Sequence, residues 1–145
     1  MLAMRKFLPA VALFLTTHAL AREDYRNQPC KAPKFAASCF QTRARLWSGN
    51  GTPSTRLWPI GTHRIYGIYS NQYGFKHDQT TLDNESPHLP IAVAATLDRI
   101  WKRSGPSGWT IYGDFEVCPL EPHIQGHMQA ACIAHASHIV VPKDE

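Results

Sequence analysis

Eight histidines are the first residues in this chain with chemistry to offer. His123-x-x-x-His127 and His135-x-x-His138 are the close pairs. A spacing of four sets two imidazoles on one face of a helix, an arrangement that suits zinc or copper. His123 and His127 lie instead in a stretch holding Pro122 and Gly126, which reads as a loop. They are therefore the lesser metal candidates rather than a metal site. His135 and His138 fall in a strand-like run, where an odd spacing points them to opposite faces unless a bulge intervenes. The expected state of all these imidazoles is unliganded surface, and no cofactor is expected.

Acid–base or nucleophilic chemistry needs partners that the fold brings together. His63, Arg64, Asp114 and Glu116 have suitable types, but their spacing does not demand convergence. The chain has no Gly-x-Ser-x-Gly elbow, no His-Glu-x-x-His and no glycine-rich phosphate loop. No catalytic residue is assigned. Stacking is the stronger signal. Trp47, Trp58, Tyr66, Tyr69 and Tyr73 stand among Arg43, Arg45, Arg56 and Arg64. Such a face is how barrels of the oligonucleotide/oligosaccharide-binding (OB) type hold their ligands. Leu57 and Trp58 point to opposite faces of a strand, so one of each such pair fills the core. The ligand-binding set expected here is Arg56, Trp58, His63, Arg64 and Tyr66.

The compartment follows from the first residues and from sulfur. Residues 1–21 join a basic start (Arg5, Lys6), an apolar run and an Ala19-Leu20-Ala21 cleavage pattern, the three parts of an export signal. Cleavage is expected between Ala21 and Arg22. The apolar run is too short to span a bilayer, and no later segment is apolar enough to do so. Without Arg5 and Lys6, 13 Lys/Arg remain against 11 Asp/Glu, a net charge of +2. That is no strong attraction for nucleic acid. Cys30, Cys39, Cys118 and Cys132 all follow the signal, and an even count in an exported chain favours disulfides. Of three possible connectivities, Cys30–Cys39 and Cys118–Cys132 are favoured because both close short loops. No Cys-x-x-Cys occurs, so dithiol redox chemistry has no footing. Asn50-Gly-Thr52 and Asn84-Glu-Ser86 match the glycan acceptor pattern, which matters only in a eukaryotic secretory pathway.

The elements that must position these residues follow from periodicity. Residues 22–38 read as an irregular lead-in and 39–145 as one β-rich domain. Alternation over 40–46 predicts a half-buried strand with Phe40, Thr42, Ala44 and Leu46 on one face. Turns at Ser48-Gly-Asn-Gly51 and Gly61-Thr62 separate it from strands over 55–60 and 64–69, with Gly67 as a bulge or bend in the third. Residues 71–90 read as a polar excursion. Val93, Leu97, Ile100 and Trp101 share one helical face, which predicts a helix over 91–103. Strands over 109–118 and 128–141 follow, the last bulged near Ala134. The order β-β-β-α-β-β is that of an OB-like, partly open five-stranded barrel. A curved antiparallel sheet packed on one helix has the same order.

Asn50-Gly-Thr-Pro-Ser54, Arg56-Leu-Trp-Pro-Ile-Gly-Thr-His-Arg64, Asp114-Phe-Glu-Val-Cys-Pro-Leu120 and Gly126-His-Met-Gln129 with Cys132 resemble the signature of a family of small exported proteobacterial proteins. The resemblance spans most of the chain after the signal. It implies a bacterial envelope location and a disulfide or thiol role for Cys118 and Cys132. The family has no assigned activity, so it lends no catalytic residues. The reading is a non-enzymatic periplasmic or secreted binding module using its aromatic–arginine face, with an unknown ligand or envelope partner. Its rivals are a small metal-assisted hydrolase built on His63, Asp114 and the His123/His127 pair, and a structural envelope component.

Overall fold

A computed structural model describes residues 28–31, 33–77, 83 and 85–143. The expected signal peptide, residues 22–27 and 32 of the lead-in, Asn84 of the second acceptor pattern and part of the polar excursion lie outside the described residues. Five strands and two helices follow a short 3-10 turn at Pro33–Ser38: β1 Phe40–Ser48, β2 Thr55–Pro59, β3 Tyr66–Ile68, α1 Gln72–Lys76, α2 Ile91–Ser104, β4 Thr110–Pro119 and β5 Gln129–Val140. They close into a barrel of order β1-β2-β3-β5-β4. β1 pairs with both β2 and β4, and β3 with β5. No edge is left open, which sets the curved-sheet alternative aside. This is the OB-like barrel that the element order predicts.

Alternation builds the interior. Ala44 and Leu46 of β1, Leu57 of β2, Ile68 of β3, Ile111, Phe115 and Val117 of β4 are all fully buried. The residues between them, such as Arg43, Arg45, Arg56 and Trp58, face outward. Val93 and Leu97 of α2 join the same core, as the helical spacing requires. Burying a side chain of this size is worth about 2 kcal/mol.

Four expectations need correction. Tyr66 and Tyr69 do not lie on an exposed stacking face; they are 3% and 5% exposed and belong to cores. β3 is three residues long rather than six, and Gly67 is not a bulge but a close approach. A Cβ there would meet Pro53 Cγ at 2.6 Å. The polar excursion contains α1, whose N-cap Asn71 accepts from the Tyr73 and Gly74 amides at 3.0 Å.

The disulfide pairing is the fourth. Cys30 joins Cys132 and Cys39 joins Cys118, across 102 and 79 residues of sequence. Cys118 and Cys132 are indeed register partners on β4 and β5. However, Phe40 pairs with Val117 across β1–β4, which brings Cys39 to Cys118 with Cα atoms 4.2 Å apart. Cys132 is thereby left for the lead-in. The two bridges anchor a second, outer cluster in which Tyr69, Leu120 and Ala130 pack with Phe35 and Phe75.

Candidate ligand-binding site

β3 and β5 run parallel, with Tyr66 beside Gln129. Parallel strands begin at the same end of a sheet, so the two loops that feed them lie side by side. One is 60–65, from β2; the other is 120–128, from β4. Between them opens a cavity of about 310 Å3 lined by His63, Arg64, Ile65, Tyr66, His123, Gly126, His127, Met128 and Gln129.

The two loops are built alike. Thr62 donates its amide and its hydroxyl to the Pro59 carbonyl, at 3.2 and 2.8 Å. His127 donates its amide to the Ile124 carbonyl at 3.1 Å. The third residue of each turn is a glycine at positive φ, Gly61 at 82° and Gly126 at 80°, as a type II turn requires. An isoleucine stands in solvent at each turn, second in the first turn and first in the second: Ile60 is 47% and Ile124 56% exposed. Ile65 (43%) and Met128 (38%) add to them. Ile65 and Met128 line the cleft, and Ile60 and Ile124 stand exposed on the same two loops, where turn tips ordinarily carry polar residues.

The polar groups of the cleft are cationic or neutral. Among the described residues, Arg64 is the one formal charge in the lining, and no carboxylate lines the cleft. Its guanidinium stands 5.8 Å from the Tyr66 ring and takes part in no ion pair among the described residues. The Gln129 side chain donates to the Glu121 carbonyl at 2.8 Å. The Glu121 carboxylate accepts the Ala130 amide at 2.8 Å, so it is occupied within the β4–β5 turn.

Of the five sequence-predicted ligand residues, His63, Arg64 and Tyr66 line the cleft, and His123 and His127 join them. Trp58 acts on it indirectly. Its indole N–H donates to the Thr62 carbonyl at 2.7 Å and braces the 60–65 loop. Arg56 does not line it; its guanidinium donates to the carbonyls of Asn50 and Pro53 at 2.7 and 3.2 Å and holds the β1–β2 loop. Met128, Gln129 and the isoleucine tips were absent from the sequence-predicted set. The parallel β3–β5 pair inherent in an OB order is the signal that would have found them.

The rest of the aromatic–arginine face spends its groups on itself. Arg45 lies in register between Trp58 and Tyr112, with its guanidinium 5.2 Å from the Trp47 ring. Such cation–π pairing satisfies the aromatic faces internally. The hydrolase constellation is not assembled either. Asp114 pairs with Ser137 near the far end of β5, roughly 25 Å along the strand from Gln129. There it accepts from Arg43 at 3.2 Å and pairs with His138 Nδ1 at 2.9 Å. The hydrogen bond from Arg43 holds the Asp114 carboxyl below the usual carboxylate range, with His138 adding to it.

β5 is bulged at Ala134, as expected, and again at His138, whose φ is 47°. His135 and His138 are both exposed, and His138 is held by Asp114. Among the described residues, the one group of three donors within 4.8 Å is Cys39, Glu116 and Cys118, and those two sulfurs are bonded to each other. The His63, His123 and His127 rings share a cavity without converging to that range. No helix among the described residues is long and apolar enough to cross a membrane. No family model matches the chain, and no curated protein or solved structure matches it.

Proposed function

We propose that this chain is a non-enzymatic binding module of the periplasm or the secreted space, and that it captures its ligand at the barrel end between the β2–β3 and β4–β5 loops. The carrying observation is the coincidence there of Arg64, in no ion pair among the described residues, with exposed Ile65 and Met128 in the lining and exposed Ile60 and Ile124 on the same two loops. Exposing large apolar groups together is unfavourable unless something covers them. The fitting ligand has an apolar body and an acidic group. The body would cover Ile60, Ile65, Ile124 and Met128, and the acid would pair with Arg64. The export pattern of residues 1–21 and the two disulfides support the compartment.

Nuclear magnetic resonance titration with a medium-chain fatty acid tests the reading. The expected result is shifted amide resonances at 60–66 and 123–129, with weaker shifts for the matching alcohol. Arg64→Ala should weaken the acid by about tenfold, the worth of a charge-assisted hydrogen bond, and leave the melting temperature unchanged. Shifts confined to the outer face around Trp47 and Trp58 would return the site to the β1–β2–β4 surface. Stoichiometric zinc in the purified protein, lost in His123→Ala, would identify the imidazoles as the working groups instead.

A further inference from the structure

A seam runs between α2 and the end of β5, away from the cleft just described. Two adjoining cavities of about 390 and 460 Å3 open along it and share Thr96 and Arg99. Arg99, Arg103 and Lys143 line the first, and His138 borders the second. Among the described residues, no carboxylate lines either cavity. His138 is held by Asp114, but Arg99, Arg103 and Lys143 take part in no ion pair among the described residues.

The dipole of α2 accounts for only part of this charge. Arg99 and Arg103 stand four residues apart on one helical face, where like charges repel. Basic residues in a last turn compensate the helix dipole, which accounts for Lys102 and Arg103. Arg99 lies a turn earlier. Its guanidinium donates to Thr96 Oγ1 at 3.1 Å, which orients it at the junction of the two cavities. Ile100, Val141 and Pro142 supply apolar surface beside the cations. Such surface lowers the local dielectric and strengthens any ion pair made there.

We infer that the α2–β5 seam is an oxyanion site that binds a phosphoryl group through Arg99, Arg103 and Lys143. Paired guanidinium groups offer forked donors that match phosphate oxygens, and the lysine adds a point charge. The phosphoryl group can be free or borne on a lipid headgroup, and the experiment separates the two.

Pyrophosphate is titrated calorimetrically into the full disulfide-bonded protein, and vesicles of phosphatidylcholine with and without phosphatidylglycerol are used for co-sedimentation. Saturable pyrophosphate binding that weakens with added salt is expected. The Arg99→Gln/Arg103→Gln double variant should lose about tenfold or more, with its melting temperature retained because both side chains are exposed. Asp144→Asn/Glu145→Gln, which removes the two carboxylates that follow Lys143 in sequence, should bind at least as tightly. Co-sedimentation dependent on phosphatidylglycerol assigns the headgroup as the source; pyrophosphate binding alone assigns a free phosphate. Binding of neither probe overturns the inference, as does binding that survives in the double variant.

Discussion

Asp114 shows how one residue's surroundings decide what it can do. By type it is a candidate acid or base. In place, Arg43 and His138 take both of its oxygens, so its carboxylate is committed to holding β1, β4 and β5 together. Because its folded pKa lies below the ordinary value, its contribution to stability is present above the unfolded pKa of about 3.9. That contribution is lost as pH falls through the folded value. A carbon-detected titration should find Asp114 ionised below the usual carboxylate range. Arg43→Ala should move its midpoint back up, since the Arg43 hydrogen bond is the leading cause. An unmoved midpoint would show that the pair does not hold the charge. Trp58 and Arg56 carry the same lesson. Both were expected to touch ligand, and both instead donate to loop carbonyls.

At the scale of elements, β3 governs the barrel's closure. Its three residues are all buried. Tyr66 and Ile68 face the interior core, and Gly67 lies beneath Pro53 and Met128. Gly67→Ala would bring a methyl within 2.6 Å of a rigid proline ring and 3.3 Å of the Met128 methyl. The expected cost is about 1–3 kcal/mol by overpacking, read as a lower denaturation midpoint. An unchanged midpoint would mean that the β1–β2 loop yields freely. The strand order, the α2 helix and the Ala134 bulge were legible because alternation and helical period are local signals. The length of β3 was not. Residues 64 and 65 continue its pattern, but the turn closed by Thr62 carries them out into solvent. Nor was the cleft legible. His63, Arg64, His123 and His127 are local to the sequence, but their meeting depends on β3 and β5 lying parallel.

For the whole molecule, the two bridges set the stability. They close 102 and 79 residues of chain, far more than the short loops that the cysteine spacing favoured. In the loop-entropy model a closure of that length contributes about 4–5 kcal/mol. Replacing either pair by serines should therefore lower unfolding free energy by several kcal/mol. Reduction with dithiothreitol should lower the melting temperature further than either replacement. A melting temperature indifferent to reductant would show that the barrel stands without its bridges. The sequence could not choose among the three connectivities, because the answer depends on β1 lying against β4. The Cys30–Cys132 bond has a mechanical corollary. Tension applied at the N-terminal end would bypass β1 and run through sulfur into β5 near its start. A protein tethered by its leading segment would hang from an interior stave of the barrel, and tugging would not unzip its first strand.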